Sequence, residues 1–379
     1  MPAATHVTIV GGGLGGLTLA RVLHTRGIGA TVYELDGSPT ARDQGGTLDM
    51  HVESGQRALS EAGLFDQFQD LARYEADTAR ILDSTGAVRF EDQAGNGANS
   101  RPELDRSALK RILVDSLPSG TVRWGAKVTD ATRTSITLAS GERVDTELLV
   151  GADGAWSKVR RLLSDATPVY SGMSFVEAHL SDVDTRNPEL AALVGLGSMF
   201  ALGEGKGLLG QRNGDGSIRV YIAVRAAQDW ATTVVDPDNP AATRARLLDI
   251  FADWAPNLRA LIARSDDRLV PRPISALPVG HQWDRVPGVT LIGDAAHLMS
   301  PFAGEGANLA MLDATELAIA IAEHDDVEGA LSDYETALFP RSEEAALESA
   351  ENLVQCFEPG APQGMLDLMA GHAAAASEI

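Results

Sequence analysis

The sequence predicts a mixed α/β fold in which one parallel sheet is assembled from separated stretches of the chain and a mostly β region is inserted between them. Three observations carry this expectation. The chain starts as strand, glycine turn, helix and second strand. A buried apolar strand recurs far downstream, at 289–292, and runs into Gly293-Asp294. The stretch between them, 172–271, is dominated by strand patterns.

Taken in order, 6–10 is a short apolar strand and Gly11 to Gly16 a glycine turn. Residues 17–24 have helical spacing, Gly27 and Gly29 end that helix, and 30–35 is the second strand. A glycine-interrupted loop follows, Arg42-Asp43-Gln44-Gly45-Gly46-Thr47-Leu48-Asp49, and then a capped helix at 54–63. Paired short strands are expected in 79–92 around Ser84-Thr85-Gly86, and a polar loop at 96–100. The stretch 105–117 reads as an amphipathic helix with Leu109, Ile112, Leu113 and Leu117 on one stripe. Residues 122–151 alternate as strands and end in Leu148-Leu149-Val150. Strands fill 172–226, with glycine turns at 203–207 and 214–216, and 241–263 is helical. Helices are expected at 305–323 and 341–356, before a tail of small residues. The domain boundaries that follow are 1–78, 101–171 and 272–335 for a discontinuous α/β domain, 79–100 and 172–271 for an inserted β-sheet domain, and 336–379 for C-terminal helices.

The 379 residues are 44% hydrophobic and 22% charged, which suits a globular enzyme with a full core. A net charge of −22 argues against nucleic acid or an anionic membrane as partner. The one cysteine, Cys356, cannot form an internal disulfide and lies in an apolar run, so a reducing, cytoplasmic setting and a packing role are expected. The N-terminus lacks a secretion-signal pattern, and no stretch reaches the roughly 18 apolar residues that span a bilayer. No residue set reads as a metal site.

The first chemical motif is Gly11-Gly12-Gly13-Leu14-Gly15-Gly16, a G-x-G-x-x-G placed after a strand and opening a helix, as a Rossmann-type dinucleotide site requires. Its glycines permit a tight turn, close approach to a pyrophosphate and helix–strand packing, while the helix N-terminus favours phosphate charge. Glu34 ends the second strand, where a carboxylate can bond adenosine ribose hydroxyls; Leu35 follows it. This motif alone leaves FAD and NAD undistinguished.

The second motif is Leu291-Ile292-Gly293-Asp294-Ala295-Ala296-His297, continued by Pro301-Phe302-Ala303-Gly304-Glu305-Gly306-Ala307-Asn308 and Asp313. The third is Gly151-Ala152-Asp153-Gly154-Ala155-Trp156-Ser157-Lys158-Val159-Arg160, although a generic strand-end turn would also use Asp-Gly. Together these resemble the flavin-dependent aromatic hydroxylases, the class A flavoprotein monooxygenases. That resemblance implies the aromatic hydroxylase fold, in which the Rossmann-type domain binds FAD and the inserted sheet binds substrate. It implies that Asp294 holds the ribityl chain, Pro301 lies by the reactive flavin edge, Gly304 is among the cofactor-binding residues, and Gly306, Ala307 and Asn308 supply amides to the flavin. Asp153 would serve FAD and NAD(P)H contacts, partly by holding backbone. Glu305 departs from the family's usual Gln.

With Gly45-Gly46-Thr47-Leu48-Asp49-Met50-His51 and the helix start at Arg106, the chain looks like the flavin-dependent tetracycline destructases. By that resemblance Asp49 and Arg106 lie against the flavin and Arg42 near the phosphates. A loop charge at Arg42 and a helix-surface charge at Arg106 are the plainer alternatives. Glu177, Phe200, Arg219 and Tyr221 fall on strands in a register facing the flavin, with Phe302 a further substrate contact. The groups that hold tetracycline do not recur in matching form, and alternating strand residues are often sheet core.

The activity the resemblance implies is hydroxylation of an aromatic, phenolic or polyketide-type small molecule, in antibiotic biosynthesis or resistance, by NADH or NADPH and dioxygen through a C4a-hydroperoxyflavin. Three other readings share the motifs: a flavin reductase or oxidase uncoupled from substrate, a flavin halogenase and a flavin-dependent binding protein. The halogenase motif Trp-x-Trp-x-Ile-Pro is absent, since Trp124, Trp156, Trp230, Trp254 and Trp283 form no such pair. No catalytic acid or base is identified; His51 and His179 are candidates on residue type alone, and His297 is expected to support its turn. The expected partner is a small molecule, and the chain a monomer or homodimer.

Overall fold

Val7, Ile9 and Val10 are buried in the strand His6–Val10, which sits at the centre of a five-stranded sheet in the computed structural model. The structure describes residues 6–42, 45–92 and 101–377. Strand order is Val289–Leu291, Leu149–Gly151, His6–Val10, Gly29–Tyr33, Val122–Arg123, and all four neighbouring pairs are parallel. The register aligns Val10 with Gly151 and Tyr33, and Gly151 with Leu291. The loops leaving three of these strands therefore emerge side by side at the carboxyl edge, where open α/β sheets bind ligands. The helix Leu14–Thr25 packs against the helix Gly306–Glu323, closely enough that a Cβ at Gly15 would lie 3.0 Å from the Ala310 carbonyl oxygen. These elements belong to the first of two compact units, Met1–Ala72, Arg106–Val169 and Ser275–Ser349. It also holds a small antiparallel sheet of Val128–Thr132, Ser135–Leu138 and Arg143–Asp145.

The second unit, Arg73–Asp105, Tyr170–Ile274 and Ala350–Ile379, is built on a seven-stranded sheet. Its order is Val270–Ala276, Val169–Leu180, Ile218–Arg225, Lys206–Arg212, Ser198–Gly203, Ala79–Asp83, Val88–Glu91. Val176, Ala178 and Leu180 alternate along one strand with Val220, Ile222 and Val224 along the next. This face packs on Val194, Leu247, Phe251, Trp254 and Leu258 from the unit's helices. Period-two burial on one side leaves the other side free for polar residues.

The mixed α/β architecture is the one expected. Several elements differ in extent. The helix expected at 341–356 runs from Val327 to Phe357, straight through Pro340. Proline removes one backbone bond there. Burial of Leu331, Tyr334, Leu338 and Ala345, with the Tyr334 hydroxyl donating to the Leu291 carbonyl at 2.8 Å, holds the helix across it. The tail carries a further helix, Gln363–Ser377. The helix expected at 54–63 starts as a π turn, Val52–Gln56, and continues as Arg57–Glu61. Two short helices, Val183–Arg186 and Pro188–Val194, interrupt the strands expected over 172–226. The loop expected at 96–100 and the residues Asp43 and Gln44 lie outside the described residues. Among the described residues no helix is long and apolar enough to cross a membrane.

Candidate functional site

Three loops meet at the carboxyl edge of the parallel sheet. In the first, Gly11 has φ 109°, and a side chain on it would collide with the Ala152 carbonyl; one on Gly16 would strike the Gly11 carbonyl. Gly13 is different, because a Cβ there would meet nothing within 4 Å. It is the N-cap of Leu14–Thr25 and makes no side-chain capping bond, so the first amides of that helix are left without a side-chain cap. The Gly12 amide donates to Glu34 Oε2 at 2.5 Å and the Asp36 amide to Glu34 Oε1 at 2.8 Å, fixing this buried carboxylate at the strand end. Two oxygens offer about four acceptor positions, so sites remain for a ligand hydroxyl. Leu35 is exposed. Arg42 lies beside these carboxylates, with Nε 2.6 Å from Asp36 Oδ1 and Nη2 3.9 Å from Glu34 Oε1. Lys110 is buried against them, its Nζ 3.9 Å from Asp36 Oδ2 and over the Trp124 ring; burial pulls its pKa down. The Arg106 amide donates to the Gly46 carbonyl at 3.0 Å, tying that helix start to the 45–49 loop.

The second and third loops are joined by Arg160. Its Nε donates to the Ala295 carbonyl at 2.7 Å, and its Nη2 to the carbonyls of Ala155 at 2.9 Å and Asp294 at 3.0 Å. Asp153 caps the same turn, accepting from the Ser157 hydroxyl at 2.5 Å and the Lys158 amide at 2.6 Å. Burial pushes its pKa up against those hydrogen bonds. Arg160 closes the third motif, but its role as a tie lies in the Ala295 carbonyl, 135 residues away, which no local pattern shows. Beneath Gly293, the fully buried Asp313 accepts from the Gly293 amide at 2.9 Å, His297 Nε2 at 2.6 Å and Arg341 Nη2 at 3.0 Å. Burial opposes ionisation of both Asp313 and His297, yet their mutual attraction lowers the acid and raises the histidine. His297 thus supports its turn. Asp294 itself is exposed, and its carboxylate takes no hydrogen bond from the described residues.

Around 301–308 the chain turns through Gly304, at φ 69°, into the helix Gly306–Glu323. Pro301 is exposed. The N-cap Glu305 makes no side-chain capping bond, and a Cβ at Gly306 would meet nothing within 4 Å. The amides of Gly306, Ala307 and Asn308 therefore form a second uncapped helix start. The Asn308 side chain clasps the neighbouring loop: Oδ1 accepts from the His51 amide at 3.2 Å and Nδ2 donates to the Asp49 carbonyl at 2.8 Å. This brings Asp49 against Gly304 and places the His51 ring, 1% exposed, between two carboxylates. His51 Nε2 is 3.0 Å from Asp49 Oδ2 and Nδ1 is 3.0 Å from Glu305 Oε1. Burial disfavours the imidazolium, but these two acids outweigh it and raise the His51 pKa to about 9. The full pairing of His51 was not legible in the sequence, because one of its two partners, Glu305, lies 254 residues away. Phe302 is half-buried on the turn Pro301–Ala303.

In the second unit, Glu177 stands opposite Tyr221, Tyr221 opposite Leu209, and Leu209 opposite Phe200. Arg219 is two residues from Tyr221 on the same strand, so all four predicted residues share one face, the one away from the packed core. Glu177 accepts from Arg219 on one oxygen and from Arg272 Nε, at 2.9 Å, on the other. The Tyr221 and Phe175 rings lie 5.7 Å apart on this face. His179 is placed 3.3 Å from Asp266, which also accepts from the Ser181 amide and hydroxyl.

Comparison with known proteins places this geometry in context. The family described as FAD binding domain matches residues 4–346. The monooxygenase asqM of Emericella nidulans is 32% identical, over 96% of this chain and 98% of that protein. The structure of HpxO from Klebsiella pneumoniae, complexed with FAD and uric acid, aligns with a TM-score of 0.79 at 22% identity, covering 97% of this chain and 92% of that one. Tetracycline destructase Tet(55) aligns with a TM-score of 0.74 at 18% identity, covering 98% and 95%. At such identities the two solved structures share the fold with this chain.

Proposed function

This chain belongs to the FAD binding domain family and is an FAD-dependent monooxygenase, and from that premise we propose that it hydroxylates an aromatic, phenolic or polyketide-type small molecule with NADH or NADPH and dioxygen. The observation that carries the cofactor assignment is the pair of uncapped helix starts, at Gly13 and at Glu305, both opening on space that a side chain would enter freely. Such amides suit one anionic group each. A dinucleotide with a pyrophosphate and an electron-rich ring system supplies two.

In this reading Gly11, Gly13, Leu14, Gly15 and Gly16 form the pyrophosphate cradle. Glu34 binds the adenosine ribose, with Leu35 and Arg42 beside it. Asp294 binds the ribityl chain with its open carboxylate. Asp153 holds the turn alongside. Asp49, Arg106, Pro301, Gly304, Gly306, Ala307 and Asn308 surround the ring system. FAD, when bound, supplies the redox chemistry: it takes electrons from NAD(P)H and activates dioxygen for transfer to the acceptor. The chain's own contribution is to hold charge where it develops and to orient the partners. The first amides of Gly306–Glu323 offset negative charge on the ring system. Asn308 fixes the 49–51 loop against that helix start.

For the acceptor, the shared face of Glu177, Phe200, Arg219 and Tyr221 supports an aromatic ring bearing a hydrogen-bonding group. The rings offer stacking area, and Glu177, held by two guanidiniums, offers an oriented polar edge. The test is oxidation of NADH and of NADPH by the FAD-loaded protein against a panel of phenolic and polyketide acceptors, with product mass measured. A gain of one oxygen, coupled to nicotinamide consumption, is expected for at least one acceptor. Fast consumption that ignores every acceptor and releases peroxide would instead indicate an uncoupled reductase.

A further inference from the structure

We infer that His51 is a positioning residue whose imidazolium charge offsets the carboxylates of Asp49 and Glu305 at the start of the helix Gly306–Glu323, and so sets how strongly the site favours reduced over oxidised FAD. This rests on the FAD reading above. The geometry is specific. The ring is almost fully buried, each nitrogen lies 3.0 Å from a different carboxylate, and the His51 amide is pinned by Asn308 of the same helix. The charged groups that face it are Asp49 from the strand Thr47–Asp49, Glu53 from the following turn at 3.9 Å, and Glu305 from the helix N-cap; Asn308 is neutral.

Charge arithmetic explains why the histidine matters. A carboxylate at a helix N-terminus competes with any other anion for the same amides. Glu305 and Asp49 together would repel an anionic ring system from the helix start. The imidazolium cancels one of these two charges, and the burial of its ring limits solvent screening of its charge. His51→Gln leaves both acids uncompensated, Glu305→Gln removes one acid, and the double variant restores the original sum.

The experiment measures the two-electron midpoint potential of bound FAD in the wild type, His51→Gln, Glu305→Gln and the double variant. His51→Gln is expected to weaken reduced FAD relative to oxidised about tenfold, a fall of about 30 mV. Glu305→Gln should shift the ratio the opposite way, and the double variant should return close to the wild type. In the wild type the offset is present while the imidazolium persists and fades as pH rises through about 9; that break should vanish in His51→Gln. Shifts of the same sign in both single variants, or no shift in either, would overturn the assignment. Nitrogen-detected histidine titration of the intact wild-type protein gives a second measurement that needs no variant to fold. A His51 ring that loses its proton near the ordinary histidine value overturns the inference equally. A chain that binds no FAD would defeat the functional reading itself, whereas bound FAD with unmoved potentials defeats only the role of His51.

Discussion

Asp294 and Arg160 stand close in space and do opposite work. The Asp294 carboxylate is exposed and makes no hydrogen bond to the described residues, so removing it should cost the fold little. Asp294→Ala is therefore expected to keep its urea midpoint while FAD affinity falls by about tenfold to a hundredfold, the equivalent of one or two charge-assisted hydrogen bonds. A fluorescence titration with FAD reads this directly, and an unchanged dissociation constant would refute the ribityl assignment. The Arg160 guanidinium is buried and serves the carbonyls of Ala155, Asp294 and Ala295. Arg160→Gln strands several of those acceptors at once. It should destabilise the chain by about 2–3 kcal/mol in urea unfolding. Weaker FAD binding should follow as a consequence, because both loops lose their common tie. Retained stability in that variant would show that the loops are held by something else.

At the scale of the element, the glycine turn separates folding from binding within six residues. Gly16→Ala drives a methyl into the Gly11 carbonyl and should cost about 1–3 kcal/mol or more. Gly13→Ala meets nothing within 4 Å, and its φ of −74° suits any residue. It should fold normally and lose FAD, because the methyl projects into the space before the helix amides. A lowered melting point in Gly16→Ala, beside a wild-type melting curve with lost flavin in Gly13→Ala, would support that division; equal flavin content in Gly13→Ala and wild type would contradict it. The turn was legible in sequence because glycine is demanded by local backbone and by a close approach that falls beside a strand. The parallel sheet was legible for a similar reason, since short apolar runs bounded by glycine mark buried strands. The helix Val327–Phe357 was not, because Pro340 reads locally as a break while the contacts that override it, such as Tyr334 to Leu291, are distant in sequence. The long-range ties of Arg160 and His51 escaped for the same reason: Ala295 and Glu305 are linked to them by no local pattern.

Over the whole molecule, ligand binding should be unevenly felt. A cofactor that binds only the folded chain stabilises it by mass action, about 2.7 kcal/mol when its concentration is a hundred times its dissociation constant. Most residues proposed to contact FAD lie in three loops of the first unit, with Glu34, Leu35, Arg42, Asp49 and Arg106 elsewhere in the same unit, and the elements beneath the loops already have buried anchors in Asp313 and Arg160. Local openings of those loops, rather than of the sheet they leave, should respond first. Hydrogen exchange with and without FAD tests this. Protection is expected to rise across 11–16, 151–160 and 293–308. The packed strands of the second unit, where Val176, Ala178, Val220 and Ile222 are wholly buried against helices, should exchange at the same slow rate in both states. Their stability comes from apolar burial that FAD does not touch. Equal protection gained throughout both units would mean instead that the chain opens only as a single cooperative whole, and that the loops have no independent opening for the cofactor to suppress.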